Sequence, residues 1–210
     1  MNLLNYFKTQ ELERVKSKFN GEIVVVKSEG EFRFLVGGLT QSGRFIDKIW
    51  QKAIAYLKKH EFFPKSCLIL GLGGGTVARI ISMTWPGIKV TGVEIDPQMI
   101  DLGKKYLALA QTKSLTLKIQ DAQKFVQDSQ NKYDLIIIDT YIGEQAVKNL
   151  RDMSKLERLL SPGGSVVFNF LFHTRKLKQE AEEFIESLEQ KDVVLLRELT
   201  NLLVIVRTMT

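Results

Sequence analysis

The sequence has almost none of the side chains that disulfides and metal centres require. Its 210 residues include one cysteine, Cys67, and two histidines. A single cysteine excludes an internal disulfide, and so few thiol and imidazole groups argue against a zinc site. We therefore expect no metal.

Long apolar runs are also missing. No stretch approaches the about 20 consecutive apolar residues that a membrane-spanning helix needs. Residues 1–20 have a polar side chain every few positions and lack the apolar core of a signal peptide. These absences predict a cytoplasmic protein with no membrane partner.

Clustered positive charge is missing as well, although the formal net charge is +6. The basic residues are scattered along the chain, as at 58–59, 104–105 and 175–178, with glutamates between them. This pattern is typical of solvated faces and does not predict a nucleic-acid partner.

The first 62 residues predict a small N-terminal unit. Apolar residues at helical spacing predict a helix over residues 1–20; they are Leu4, Phe7, Leu12, Val15 and Phe19. This stripe is expected to face the core or a second copy in a homodimer. The runs 22–27 and 32–36 predict a β-hairpin, and 44–60 predicts a connecting helix that ends before Pro64. We expect residues 1–62 to pack on a main domain formed by 63–210.

The main domain alternates short apolar runs with helical stretches, which predicts βαβ units. The predicted strands are 67–70, 89–93, 115–119, 135–138, 165–170, 193–199 and 202–207. The predicted helices are 76–84, 97–110, 121–129, 146–160 and 175–190. Only two residues separate the last two strands, too few for a parallel crossover, so the last strand is expected to be antiparallel. The prediction is an α/β protein with a three-layer Rossmann-like fold and a seven-strand sheet.

The strongest motif is the glycine-rich stretch 71–75, which connects the first of these strands to a helix. Glycines there allow close backbone approach to a ligand, and we expect Gly71, Gly73, Gly74 and Gly75 to form a cofactor cradle. Glu94 lies 23 residues after Gly71, at the end of the next strand. A carboxylate at that place accepts ribose hydroxyls, so the combination predicts nucleoside binding.

The motif also indicates which nucleotides do not fit. Thr76 stands where the dinucleotide fingerprint has Gly or Ala, and the turn lacks the Gly-Lys-Ser/Thr of a phosphate loop. The stretch instead resembles the S-adenosylmethionine-binding methyltransferase fold. That resemblance implies cofactor contacts from Glu94 and Ile95, and from Asp121 and Ala122 after the third strand.

A narrower resemblance covers residues 21–172. The segments 38–50, 133–141 and 161–164 are similar to those of the spermidine synthase family and its methyltransferase-like relatives. The resemblance implies that Asp139 lies beside the transferred group, contacts the cofactor and helps to deprotonate the acceptor. It also implies a cofactor contact at Gln51. Tyr141 is expected either to line the acceptor pocket, with a part in catalysis, or to pack the following loop.

The chain departs from the family pattern where amines are recognised. Gly74 and Ile142 stand at positions where aminopropyltransferases carry acids, and Trp50 and Lys52 replace a tyrosine and another acid. We therefore expect a transferase that uses S-adenosylmethionine, or its decarboxylated form, on a small-molecule acceptor, with methyl transfer favoured. Two alternatives stay open: an aminopropyltransferase that acts on an amine, and a non-catalytic module that binds a nucleoside or nucleic acid.

Overall fold

The computed structural model describes residues 9–142, 145–188 and 191–208. The chain begins with a four-stranded antiparallel sheet in sequential order. Its strands are β1 (Gln10–Ser17), β2 (Gly21–Ser28), β3 (Glu31–Val36) and β4 (Leu39–Thr40). The predicted hairpin is therefore present as β2 and β3, within a larger sheet.

The prediction of a helix over residues 1–20 is wrong for its described part. Residues 10–17 form strand β1, which pairs with β2 so that Val15 lies opposite Ile23. Val15 packs against the apolar cluster beneath this sheet, and its charged neighbours Arg14 and Lys16 alternate with it. Leu4 and Phe7 lie outside the described residues. Pairing with β2 decides the structure, although Leu12 and Val15 have the three-residue spacing of a helix and not the alternation of a strand.

A seven-stranded sheet forms the centre of the molecule, in the order β12-β13-β11-β8-β5-β6-β7. Its strands are β5 (Ser66–Leu70), β6 (Lys89–Glu94), β7 (Leu115–Ile119), β8 (Tyr133–Ile138), β11 (Leu160–Leu171), β12 (Asp192–Glu198) and β13 (Asn201–Arg207). Strand β13 pairs antiparallel with both β11 and β12, whereas the other pairs are parallel. The predicted seven-strand sheet with a reversed last strand is confirmed.

Helices cover both faces of this sheet. They are α1 (Arg44–Lys59), α2 (Thr76–Thr84), α3 (Pro97–Tyr106), α4 (Ala122–Asp128), α5 (Met153–Glu157) and α6 (Arg175–Glu186). Alternate strand residues such as Ile69 and Leu70 enter opposite apolar clusters, one with α1 and α2 and the other with α4, α5 and α6. This confirms the three-layer fold. Of the helices in the described ranges, none is long and apolar enough to cross a membrane.

The connection from β8 to β11 differs from the helix predicted over 146–160. It contains a short antiparallel pair, β9 (Tyr141–Ile142) and β10 (Gln145–Ala146), a 3-10 turn at Lys148–Leu150, and then α5. The Asp152 side chain caps α5 by accepting from the Ser154 backbone N–H, so a new helix starts there. The stretch 161–164 forms an irregularity within β11, because Leu160 pairs with Tyr133 and Ser165 pairs with Leu135.

Helix α1 shares its apolar cluster with the large sheet. Ile49, Trp50 and Leu57 are each at most 1% exposed and lie in the same cluster as strand residues Cys67 and Ile69. The division into 1–62 and 63–210 stays a prediction.

Candidate functional site

The glycine-rich turn after β5 brings three strand ends together. Gly71 has a φ of +86°, and a Cβ placed there would lie 2.3 Å from the carbonyl oxygen of Asp139. The backbone N–H groups of Gly71 and Leu72 both donate to the carbonyl of Val93 at 3.0 Å. Because only glycine permits this approach, the turn fixes the ends of β5, β6 and β8 next to one another.

Glu94, the last residue of β6, holds the turn from the side. Its Oε2 accepts from the Gly73 N–H at 2.7 Å and its Oε1 accepts from the Asp96 N–H at 3.0 Å. Burial raises the pKa of Glu94, and these hydrogen bonds oppose the shift. Each oxygen keeps acceptor capacity on the cavity side, where a carboxylate can bind two neighbouring hydroxyl groups.

The neighbouring carboxylate, Asp96, is structural. It caps α3 by accepting from the Gln98 N–H at 2.9 Å. It also accepts from the Asn20 side-chain amide at 2.6 Å and from the Ser17 hydroxyl. Asp96 therefore ties the N-terminal sheet to the rim of the site, and its side chain is 1% exposed.

Asp121 follows β7 and caps α4, where it accepts from the Lys124 N–H at 3.0 Å. It also lines the cavity with Ala122 and Ile95. The capping role and the position at the cavity are compatible, because a carboxylate has several acceptor sites.

Asp139, directly after β8, is held by two hydrogen bonds. Its Oδ1 accepts from the Asn169 Nδ2 at 2.8 Å, and its Oδ2 accepts from the Trp50 Nε1 at 3.2 Å. Burial raises the pKa of Asp139 to about 6, although both hydrogen bonds act in the opposite direction. A carboxylate with this pKa is ionised at neutral pH and is a stronger base than an exposed one.

Tyr141 has its hydroxyl fully engaged. The hydroxyl donates to the Asn169 carbonyl at 2.6 Å and accepts from the Leu171 N–H and the Arg151 guanidinium, each at 2.9 Å. Burial raises the pKa of Tyr141 to about 12. The hydroxyl therefore anchors this segment to β11, and only the rest of the side chain is left to line the cavity.

These residues surround a cavity of ≈ 420 Å³ at the carboxyl ends of the parallel strands. The predicted site residues that line it are Gly71, Gly73, Gly74, Glu94, Ile95, Asp121, Ala122, Asp139 and Tyr141. Within the described part of the chain, its lining includes three carboxylates and neither lysine nor arginine. A cavity with this charge favours a cationic ligand.

Two predicted cofactor residues are not among those that line the cavity. Gln51 is exposed on α1, and Gln41 lines the cavity from the N-terminal sheet side instead. Gly75 caps the N-terminus of α2 at a φ of +88°, where a Cβ would lie 2.3 Å from the Leu109 Cδ1. The structure therefore does not bring Gln51 or Gly75 to the lining of the cavity: Gln51 is exposed, and Gly75 packs against Leu109.

Gly74 lines the cavity, but its missing side chain would point elsewhere. A Cβ there would lie 2.7 Å from both Leu107 Cδ1 and Phe34 Cε2. The position at which the related aminopropyltransferases are expected to carry an acid is therefore surrounded by apolar groups. The side chain of Ile142, the other such position, lies outside the described side chains.

Several lining residues had no signal in the sequence. Asn169 at the end of β11 and Asn201 at the start of β13 reach the cavity, as do Gln41 and His173. Single amide side chains have no characteristic spacing in sequence. Only the strand order β8-β11-β13 shows that Asn169 and Asn201 meet beside Asp139.

The fold and this site define a class: α/β proteins with a Rossmann-like sheet and a cavity at the carboxyl ends of its parallel strands. A family model described as "Spermine/spermidine synthase domain" matches residues 48–202. The chain belongs to that family.

This chain is similar to relatives that are named aminopropyltransferases and to relatives that are named methyltransferases. A probable polyamine aminopropyl transferase of Bifidobacterium longum is 34% identical over 110 residues, which are 50% of this chain and 24% of that protein. An eEF1A lysine and N-terminal methyltransferase homolog of Drosophila melanogaster is 26% identical over 129 residues, 56% of this chain and 19% of that protein. The chain spans less than half the length of these curated relatives.

Solved structures agree on the fold. A probable spermidine synthase from Corynebacterium glutamicum superposes with a TM-score of 0.73 at 18% identity, covering 94% of this chain and 79% of that one. A putative O-methyltransferase from Nostoc punctiforme gives a TM-score of 0.60 at 12% identity, covering 78% of this chain and 57% of that one.

Proposed function

We propose that this protein transfers a group from S-adenosylmethionine, or from its decarboxylated form, to a small acceptor that loses a proton to Asp139. The observation that carries the proposal is the position of Asp139 in the same cavity as Glu94 and the glycine-rich turn. Its pKa, about 6, suits a general base that works near neutral pH.

The residues of the cavity fit such a cofactor. Glu94 presents a buried carboxylate, held by two backbone N–H groups, at the place where ribose hydroxyls bind in this type of sheet. Gly71 lets the turn pack directly against the Asp139 backbone, which holds the turn and Asp139 at the same edge of the cavity. When bound, the cofactor supplies an electrophilic carbon next to a positively charged sulfur, and a neutral thioether leaves as that carbon is transferred.

Asp139 supplies the proton acceptor. Each of its oxygens already accepts one hydrogen bond, from Asn169 or Trp50, which fixes the plane of the carboxylate and leaves lone pairs for an acceptor N–H or O–H. Removing that proton as the new bond forms makes the acceptor atom a stronger nucleophile. Glu94 and Asp121 add negative charge to a cavity that would hold a cationic sulfonium.

Methyl transfer is the form that we favour. A decarboxylated cofactor carries an ammonium group without a neighbouring carboxylate, and a partly dry site must supply a compensating acid. At Gly74 the adjoining groups are Leu107 and Phe34, which are apolar. Aminopropyl transfer is the second candidate, because the three carboxylates that line the cavity also suit the more cationic decarboxylated cofactor. Several of the similar proteins also carry the name polyamine aminopropyltransferase.

The test is the identity of the by-product. The protein would be incubated with each cofactor form and a panel of amines, including putrescine, and the nucleoside product analysed by mass spectrometry. S-adenosylhomocysteine indicates methyl transfer and methylthioadenosine indicates aminopropyl transfer. Asp139→Asn is the matched variant, for which we expect the rate to fall about 10²–10⁴-fold with little change in cofactor affinity. Binding of a cofactor without any turnover across a broad panel would contradict the proposal.

A further inference from the structure

A chain of directed hydrogen bonds runs from the hairpin between β12 and β13 to Asp139. The Thr200 hydroxyl donates to Asn201 Oδ1 at 3.1 Å, and Asn201 Nδ2 donates to Asn169 Oδ1 at 2.8 Å. Asn169 Nδ2 then donates to Asp139 Oδ1 at 2.8 Å. Asn169 is 6% exposed and Asn201 is 3% exposed, so water competes little with the hydrogen bonds that join Asn201, Asn169 and Asp139.

The direction of this chain matters because an amide side chain has a donor end and an acceptor end. Asn169 could present its N–H to the ionised carboxylate of Asp139 or its oxygen to the protonated acid. Since Asn201 supplies an N–H, the oxygen of Asn169 faces Asn201 and its N–H faces the carboxylate. The Thr200 hydroxyl, which can donate or accept, donates to the Asn201 oxygen and so helps to hold this amide in place.

Other groups around Asp139 do not set this orientation. Trp50 on α1 donates to the other carboxylate oxygen, and its indole N–H can only donate. The Tyr141 hydroxyl donates to the Asn169 backbone carbonyl and accepts from the Leu171 N–H and the cationic Arg151, so it does not contact the Asn169 side-chain amide. The further titratable groups that line the same cavity are Glu94 from β6, Asp121 after β7 and His173 after β11.

We propose that Asn201 is a positioning residue, which fixes the donor end of Asn169 toward Asp139 and so sets the pH at which the Asp139 carboxylate can accept a proton. The proposal rests on the proposed function for the role of Asp139 in the reaction. Asn201 lies 62 residues from Asp139 in sequence (201 − 139) and acts only through Asn169.

Without the Asn201 N–H, the Asn169 amide can turn its oxygen toward the protonated form of Asp139 and accept from its O–H. The neutral form then gains a hydrogen bond that it lacks in the wild type, so the pKa of Asp139 rises further. A hydrogen bond between neutral groups corresponds to about half to one pH unit. For Asn201→Leu we therefore expect the acid limb of the kcat/KM profile to move up by that amount, while the rate at high pH changes little.

Two further variants complete the design. Thr200 is exposed, and Thr200→Val removes only the hydroxyl that donates to the Asn201 oxygen. This variant should shift the acid limb in the same direction by a smaller amount. Leu199→Gly is the matched control, because Leu199 is exposed in the same hairpin, has a φ of 52° and makes no part of the hydrogen-bond chain described above. We expect it to leave the profile unchanged.

The carboxyl pKa of Asp139, measured by carbon NMR in each variant, separates this proposal from the proposed function. An upward shift in Asn201→Leu and Thr200→Val, with none in Leu199→Gly, supports the positioning role even if the wild-type protein transfers no group. An unchanged Asp139 pKa and an unchanged pH profile in Asn201→Leu would overturn it. If Asn201→Leu does not fold, an unchanged pKa in Thr200→Val overturns it.

Discussion

The buried charge of Asp139 should reduce the stability of the folded protein at neutral pH. Burial raises its pKa from 3.8 to about 6. A carboxyl group whose folded pKa is raised adds stability below its unfolded pKa, and that stability is lost as the pH rises through the folded value. At about 1.4 kcal/mol per pKa unit the full loss is about 3 kcal/mol, of which about 2.4 kcal/mol falls between pH 4 and pH 7.

The variant Asp139→Asn isolates this contribution because an amide does not titrate. The free energy of unfolding would be measured with urea at several pH values between 4 and 7, for the wild type and the variant. We expect the wild type to lose about 2.4 kcal/mol relative to Asp139→Asn over this interval. Subtracting the two proteins at each pH cancels the titration of every other group, provided that these groups keep their environment.

Asp134, at the other end of β8, is the matched control. Burial raises its pKa, but hydrogen bonds from the Lys65 and Ser66 N–H groups outweigh that effect, so its net pKa is lowered. A carboxyl group of this kind loses its stabilising effect only as the pH falls below its unfolded value. The difference between wild type and Asp134→Asn should therefore be constant from pH 5 to pH 7. Parallel stability curves for wild type and Asp139→Asn would refute the reasoning about Asp139.

Two substitutions test the glycine-rich turn. Gly71→Ala should destabilise the fold by about 2 kcal/mol or more, because its Cβ would lie 2.3 Å from the Asp139 carbonyl oxygen. Gly87→Ala is the control, because Gly87 has a similar φ and a Cβ there would meet nothing within 4 Å. Equal losses of stability in the two variants would contradict the close contact at Gly71. Gly74→Asp should lower the melting temperature without tighter binding of decarboxylated S-adenosylmethionine, because the new side chain meets Phe34 and Leu107. A gain in that affinity, measured by calorimetry, would show that the aspartate reaches the cavity.

The large sheet could be predicted from sequence because its central strands are buried on both faces. Continuous apolar runs such as 67–70 and 135–138 have few alternatives in a chain that alternates strands with helices. Residues 10–17 differ, since Leu12 and Val15 are three residues apart, which favours a helix over a strand. Pairing with β2 decides between them, and such nonlocal contacts have no local signature.

The site residues also divide into those that the sequence could predict and those that it could not. Gly71 and Glu94 could be placed together because a turn and a following strand end meet at one edge of a parallel sheet. The hydrogen bonds from Asn169 and Asn201 depend on β13 lying beside β11, and on amide orientations that only the folded structure defines. The resemblance placed a cofactor contact at Gln51, but the side chain at the cavity is that of Gln41, ten residues earlier (51 − 41).

The most direct test of the account is calorimetric binding of S-adenosylmethionine, its decarboxylated form and methylthioadenosine to the wild type, Glu94→Gln and Gln51→Ala. We expect the wild type to bind S-adenosylmethionine, and Glu94→Gln to bind it at least about tenfold more weakly, because one charge-assisted hydrogen bond contributes about 1.5–3 kcal/mol. Gln51→Ala should bind like the wild type, since Gln51 is exposed and is not among the residues that line the cavity. Equal affinities in the wild type and Glu94→Gln, or no binding of any of the three compounds, would contradict the account.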